Sequence, residues 1–151
     1  MPDNIINRVA NSKLITIDLE DYYPTGKRVV FDIKDWLFEG FVLREKDFRS
    51  QVSEYDWSQH QDHYVALTCS SDAIIPGWAY LLLSIQLEPY VKKTIVGTLE
   101  NLETSIYQDI LNDLDLSPFE GKPIIIKGCS NKPVPQNAYI MLSNKIKPIA
   151  K

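Results

Sequence analysis

Cysteine, histidine and glycine are scarce in this chain of 151 residues, which contains two, two and six of them, respectively. Two cysteines do not complete a tetrahedral zinc site or hold a four-cysteine cluster, and the chain has no Cys-x-x-Cys pair. No glycine-rich phosphate-binding motif occurs, which disfavours nucleotide binding. No spacing ties a histidine to a nucleophile, so the sequence indicates neither a Ser-His-Asp nor a Cys-His catalytic arrangement.

Long runs of basic or apolar residues are also missing. The chain has 16 basic and 20 acidic side chains, a net charge of -4, and no basic run longer than two residues, as in Lys92-Lys93. A nucleic-acid surface needs a basic stripe, so we expect no nucleic-acid partner. The longest strongly apolar segment, residues 79–87, is about half of what a bilayer requires, and the first residues lack the pattern of a signal peptide. We therefore expect a cytoplasmic protein with no membrane contact.

Residues 63–147 alternate between β-rich runs and helical patterns, in the order βαβαβα. Three isoleucines in the last run suit a central strand that is buried on both faces, whereas Gly97 and the basic start of the second run suit an edge. Right-handed crossovers then allow the first and third strands to be neighbours. The predicted strands are 63–69, 93–98 and 123–129, and the predicted helices are 76–88, 99–113 and 135–147.

The N-terminal third predicts two more strands, 14–17 and 28–33, around a turn at 23–26, and we expect them to form a hairpin at a sheet edge. A helix is predicted over 44–56. No linker or change in composition divides the chain. The sequence thus predicts an α/β fold: a single three-layer domain over 1–151 with a mainly parallel central sheet and additional N-terminal edge strands. Its N-terminal strands and helix occupy 1–62, and its βαβαβα part occupies 63–151.

One corner of the chain occurs twice: Cys-Ser, a short loop, and Pro-x-x-Ala-Tyr at the start of a helix. The cysteines, Cys69 and Cys129, are 60 positions apart, and the prolines, Pro76 and Pro135, are 59 apart. Both cysteines are predicted at carboxyl ends of parallel strands, where open α/β sheets bind ligands. The helix that follows each of them favours the thiolate, the form of cysteine that binds metal or attacks.

Two interpretations of this corner stay open. In the first, Cys69 and Cys129 bind a metal or cluster or handle sulfur, with Ser70, Asp72 and Ser130 at the helix amino termini beside them. Sharing one zinc ion requires sulfur atoms within roughly 4 Å of each other. In the second, the thiols pack as small apolar groups, and the serines and Asp72 only cap the helices.

The histidines, His60 and His63, precede the strand that ends at Cys69. Six residues of strand span about 20 Å, so a joint His-Cys site is disfavoured, and we expect both histidines to face solvent. The acidic stretches 18–21 and 32–35 are predicted to be caps or turns rather than a cation site. Aromatic residues crowd the N-terminal half, where they favour a core over a partner-binding patch.

Five stretches of the chain form a recognisable combination: 7–12, 31–37, 56–59, 69–76 and 127–130. Together they resemble the uncharacterised bacterial family called domain of unknown function 2480. The resemblance implies an accessory role near sulfur-mobilising iron-sulfur cluster assembly. It also implies that the family pattern continues past Lys151 with a tail containing Gly-Glu-Pro-Cys-Ser, which would supply a third cysteine. Neither His60 nor His63 belongs to the family motif.

These observations predict a non-hydrolytic accessory or binding protein in which Cys69 and Cys129 are metal, cluster or sulfur-handling residues, with zinc or an iron-sulfur cluster as the candidate cofactor. The link to iron-sulfur assembly is what the resemblance implies. The alternative is a protein-protein interaction module with structural cysteines, whose aromatic N-terminal surface, with Trp36 and Phe38, docks a partner protein or a second copy. A third class, a thiol-dependent enzyme, needs a base near one cysteine, and the sequence does not show one.

Overall fold

The computed structural model describes residues 14–128 and 131–150. The chain forms two compact units. We call residues 25–102 the central unit, and residues 1–24 together with 103–151 the terminal unit. The expectation of a single domain stays a prediction.

The central unit contains a three-stranded parallel sheet in the order β2-β3-β4. Its middle strand, β3, has the sequence Tyr-Val-Ala-Leu-Thr, and its first four residues are buried, as expected for a strand with neighbours on both sides. The strands are β2 (Arg28–Asp32), β3 (Tyr64–Thr68) and β4 (Lys93–Val96), and the helices are α1 (Glu45–Glu54) and α2 (Gly77–Leu87).

The core of the central unit forms between this sheet and its helices. Phe48 and Val52, four residues apart on α1, are buried, and Ala79, Leu83 and Leu87 form the buried stripe of α2. Gly26 holds the turn before β2 with a φ of +140°, and a Cβ atom there would lie 2.8 Å from the ring of Tyr64. The other buried apolar residues of this core are Phe31, Ile33, Leu37, Trp57, Val65 and Leu67.

The terminal unit contains a parallel pair of strands, β1 (Ile15–Asp18) and β5 (Ile124–Lys127), with Ile15 opposite Ile124. Its core includes the buried stripe of α4 (Gln136–Ile146) and the fully buried Tyr107, whose hydroxyl donates to the carbonyl of Leu19 at 2.8 Å. The buried members of this core are Ile17, Leu19, Tyr107, Leu111, Val134, Ala138, Leu142 and Ile146.

Helix α3 (Leu99–Asp113) begins in the central unit and continues in the terminal unit. Thr98 and Asn101 bond reciprocally at its start: the Thr98 Oγ1 atom accepts from the Asn101 amide at 3.1 Å, and the Asn101 Oδ1 atom accepts from the Thr98 amide at 2.9 Å. Two amide groups at the start of the helix are thereby satisfied. The predicted range of this helix is confirmed.

The α/β class and the parallel pairing are confirmed, but the predicted order of the strands is wrong. The neighbours of β3 are β2 and β4, so the strand at Val65 does not lie beside the strand at Ile125. The predicted N-terminal hairpin is also wrong, because β1 and β2 belong to different sheets and each pairs in parallel with a later strand. The edge position of β4 is confirmed.

The three isoleucines of β5 are not buried on both faces: Ile125 is 46% exposed, and the other two are half-buried. The strand buried on both faces is β3, which the sequence did not single out. No helix of the described residues is long and apolar enough to cross a bilayer.

Candidate functional site

Cys69 follows β3 directly, at the carboxyl end of the strand, as predicted. Its thiol is free and half-buried against the core of the central unit. The sulfur lies 3.3 Å from the hydroxyl oxygen of Ser71, which in turn accepts a hydrogen bond from the Ala73 amide at 3.2 Å. Burial, together with Cys69, raises the pKa of Tyr80, whose phenol therefore stays protonated. The thiol is thus held within a short hydrogen-bonded loop.

Ser70 connects this loop to the neighbouring strand. Asp32, the last residue of β2, lies opposite Thr68 in the sheet, and its Oδ1 atom accepts from the Ser70 amide at 3.1 Å and from the Lys34 amide at 2.9 Å. Burial opposes ionisation of Asp32, but hydrogen bonds from Ser70 and Lys34 outweigh it and hold the pKa of the carboxyl below its usual value. Asp32 is therefore an anion that joins two strand ends.

The prediction that Ser70 and Asp72 set the start of the following helix is wrong. The residue before α2 is Pro76, and no side chain caps the helix; Pro135 occupies the same place before α4. The two prolines have the same ψ of 149°, and each carbonyl accepts from the amide three residues later, at 3.0 and 2.9 Å. Asp72 is exposed. The repeated corner thus starts both helices through backbone geometry.

Cys129 and Ser130 lie outside the described residues, so a shared Cys69–Cys129 site stays a prediction. The described residues beside them continue the repeat. Tyr139, the counterpart of Tyr80, places its hydroxyl 2.9 Å from where a Cβ atom on Gly128 would lie. The amide of Lys132, in the short loop of this corner, donates to the carboxylate of Glu20 at 3.1 Å. In the terminal unit, Glu20 in the turn after β1 thus binds the loop of the corner, as Asp32 at the end of β2 does in the central unit.

Those turns form a second repeat that the sequence analysis missed. Strands β1 and β2 each end in Asp. In both cases Leu or Ile, any residue, Asp, and Tyr or Trp follow, so the pattern occupies residues 18–22 and 32–36. Asp18 and Asp32 each accept from the amide two residues later, at 3.0 and 2.9 Å, and each starts a short 3-10 turn. The recurrence of the same residue types in the same order is the signal by which the sequence could have revealed this repeat. Each unit therefore pairs an Asp-turn strand with the strand of a Cys-Ser corner.

A metal centre finds no support among residues 14–128 and 131–150, where no group of three or more His, Cys, Asp or Glu side chains could hold an ion. Zinc or an iron-sulfur cluster at the cysteines stays a prediction.

His60 does not face solvent as expected, whereas His63 is half-buried. His60 is 7% exposed, and its Nε2 atom lies 2.6 Å from the hydroxyl oxygen of Tyr55. Burial, aided by His63 and Lys27, lowers the pKa of His60, so the ring is neutral at pH 7. The Nδ1 atoms of His60 and His63 are buried without a hydrogen-bond partner in the described structure. Packing within an aromatic cluster therefore buries His60, although the polar residues on either side of it stay exposed.

This cluster surrounds Phe31 in the central unit, and most of the N-terminal aromatic residues belong to it. Trp36 is half-buried, with its ring centre 5.2 Å from those of both Phe31 and Tyr55. Phe38 is 41% exposed, under the guanidinium of Arg44, whose Cζ atom lies 3.3 Å from the ring centre. The core interpretation of the aromatic residues thus holds for Trp36 but not for Phe38.

The outward side of α2 is a second feature that the sequence analysis did not identify. Leu81 and Ile85, four residues apart on the helix, are 66% and 65% exposed, and Ile74, in the loop before the helix, is 91% exposed. No residue of α2 is charged. A helix that is apolar on all sides is normally covered, so this side is a candidate contact surface.

Comparison with known proteins gives a family and nothing more specific. No curated protein and no solved structure matches the chain. The model of one family, "Protein of unknown function (DUF2480)", matches residues 3–151, which is nearly the whole chain and agrees with the predicted resemblance. The chain therefore belongs to the DUF2480 family.

Proposed function

We propose that this protein is a non-hydrolytic binding protein that pairs with a second copy of itself through the outward face of α2. The observation that carries the proposal is the exposure of Leu81 and Ile85 on a helix without a single charged residue. Exposed apolar patches of this kind mark contact surfaces in soluble proteins.

The other copy of the repeat supplies an internal comparison. Helices α2 and α4 start from the same corner and bury the same three positions, with Ala79, Leu83 and Leu87 matching Ala138, Leu142 and Ile146. Their outward positions differ. Leu81 of α2 corresponds to Ile140 of α4, which is exposed as well, whereas Ile85 of α2 corresponds to Asn144 of α4. Packing in this motif therefore does not require an apolar outward face, which supports a separate role for the face of α2.

Charge favours a second copy as the occupant. Two chains of net charge -4 repel each other at most surfaces, and an uncharged helix face avoids this cost. The same patch on both partners is self-complementary about a two-fold axis, the commonest symmetry of soluble oligomers. Standard interfaces engage roughly 20–30 residues on each side, so a face built on one helix and its loop predicts a weak dimer.

Sedimentation of the full chain over a range of concentrations tests the proposal. We expect a reversible monomer-dimer equilibrium that the double substitution Leu81→Asn and Ile85→Asn abolishes without changing the circular dichroism spectrum. The matched control is Ile140→Asn, which changes an isoleucine that is 51% exposed on α4 and leaves the dimer intact. A monomer at every concentration, or equal loss in the control, refutes the proposal.

A thiol-based accessory role in iron-sulfur assembly is the second candidate. It is supported by Cys69, a half-buried thiol beside Ser71 at the carboxyl end of β3. Anaerobic purification followed by iron and zinc analysis tests it. Bound metal that is lost in Cys69→Ser and in Cys129→Ser supports the candidate, and metal-free protein under these conditions contradicts it.

A further inference from the structure

A small cavity of about 190 Å³ opens beside the edge strand β2 of the central unit. Ligand pockets for drug-sized molecules measure roughly 300–1,000 Å³, so this cavity suits a small headgroup or the end of a side chain. Its wall combines aromatic rings with two carboxylates. The lining residues are Val29, Val30, Phe31, Asp32, Asp35, Trp36, Tyr55 and His60.

Two aromatic rings form the main wall of the cavity. The ring centres of Trp36 and Tyr55 lie 5.2 Å apart at an interplanar angle of 57°, so the two rings are tilted against each other rather than stacked. The same two residues also line an adjoining hollow of about 310 Å³, together with Gln51 and Glu54. Both rings are half-buried, so part of each stays accessible.

Negative charges surround the rings of Trp36 and Tyr55. Asp32 is ionised, although Lys34 compensates part of its charge. Asp35 and Glu54 are exposed and form no ion pair within the described part of the chain. The charge of Lys27 lowers the pKa of His60, and the charge of Asp56 raises it. The carboxylates thus outnumber the lysines around the two rings.

The chain's own cations lie over other aromatic rings of the same unit. Arg44 covers Phe38, and Arg49 covers Trp78, at 3.3 and 4.9 Å from the ring centres. Among the described residues, no cation of the chain lies over Trp36 or Tyr55. The two rings with carboxylates beside them are therefore the ones without an internal cation.

His60 also borders the cavity, beside Tyr55. Its side chain is more than nine-tenths buried and lines the cavity, and its Nδ1 atom has no partner within the described structure. Whichever ring nitrogen holds the proton, the contact with the Tyr55 hydroxyl uses Nε2 and leaves Nδ1 unsatisfied. Because Nδ1 is itself buried from solvent, a ligand in the cavity does not reach it, and the part His60 plays at the cavity is its contact with Tyr55.

We propose that this cavity binds an organic ammonium group, with the faces of Trp36 and Tyr55 attracting the cation and Asp35 and Asp32 supplying negative charge. Tryptophan and tyrosine are the rings that hold quaternary and methylated ammonium groups best. His60 is a positioning residue, because its hydrogen bond sets the orientation of the Tyr55 ring.

Choline is a suitable probe because 3,3-dimethyl-1-butanol has nearly the same shape without the charge. Titration of the ¹⁵N-labelled full chain with each compound is followed by NMR at the indole N–H of Trp36, assigned through Trp36→Phe. We expect saturable binding of choline, with a dissociation constant on the order of millimolar, and none of the neutral compound. Equal responses to both compounds, or no saturable response to choline, refute the site.

Asp35→Asn tests the role of the charge without a risk to folding, because Asp35 is exposed. We expect it to weaken choline binding about three- to fivefold, whereas Asp72→Asn, an exposed acid outside the lining, leaves binding unchanged. Equal weakening in both variants would show nonspecific attraction to an acidic protein and would overturn the assignment.

Discussion

Removal of the Asp32 carboxylate tests whether this residue joins the ends of β2 and β3. In Asp32→Ala the amides of Ser70 and Lys34 lose their acceptor, because both donate to the Oδ1 atom. In Asp32→Asn an oxygen acceptor remains, but its negative charge is lost. The two substitutions thus separate the hydrogen bonds from the charge.

The expected magnitude follows from these two bonds. A hydrogen bond to a charged group contributes roughly 1.5–3 kcal/mol in a buried setting. Asp32 is partly exposed, so water replaces a share of each bond in the variant, and we expect Asp32→Ala to lower the free energy of unfolding by about 1–2 kcal/mol in total. With a urea m-value of roughly 2 kcal/mol/M, the midpoint falls by about 0.5–1 M. Asp32→Asn should lose about half as much.

The dependence on pH supplies a second readout. The pKa of Asp32 in the folded protein lies below its ordinary value of 3.8, so the unfolded chain binds the proton more readily. The stabilisation is therefore present above pH 3.8 and is lost as the pH falls through the folded-state pKa. The difference in unfolding free energy between wild type and Asp32→Ala should shrink over this acidic range.

Urea unfolding at neutral and acidic pH, together with hydrogen exchange of the Ser70 amide, measures both effects. The control is Asp72→Ala, which alters an exposed residue of the adjacent loop. The reasoning is refuted if Asp32→Ala is no less stable than the control, or if the Ser70 amide exchanges at the same rate in wild type and variant.

Three further predictions concern packing, the start of α3 and titration. Leu83→Ala should cost about 3–5 kcal/mol because Leu83 is fully buried, whereas Leu81→Ala should stay within about 0.5 kcal/mol in dilute solution; equal thermal unfolding midpoints would contradict the assignment of the two faces of α2. Thr98→Ala removes the hydroxyl that accepts from Asn101 and should cost about 1 kcal/mol in urea unfolding, and an unchanged midpoint would argue against the cap. The lowered pKa of His60 keeps the folded ring neutral while the unfolded chain takes up a proton, so wild-type stability should fall as the pH drops below 6.5. His60→Gln should flatten this dependence, and an identical pH profile in the variant would contradict the assignment.

Helices and strands followed from the sequence because their signals are local. The apolar positions of α3 repeat every three or four residues, and its predicted range, 99–113, is the observed one. Prolines mark both ends of α2, and the predicted range differs from the observed one by a single residue at each end. The Cys-Ser corner was visible as a repeat because its residue types recur in order.

The positions of the strands within the sheets depended on tertiary structure. Three consecutive isoleucines are equally compatible with a central strand and with the outer strand β5, because pairing is a contact between distant segments. The roles of Ser70 and Asp32 were hidden for the same reason: a contact between residues 38 positions apart leaves no local trace.

By itself, the sequence determined the α/β class, the bounds of most helices and strands, the repeated corner and the family. Tertiary structure alone decided that His60 is buried against Tyr55, that the outward face of α2 lies exposed, and that Trp36 borders a cavity with Asp35. The physical reason is that local pattern specifies backbone conformation. Burial, exposure and the meeting of side chains arise only when separate segments pack against one another.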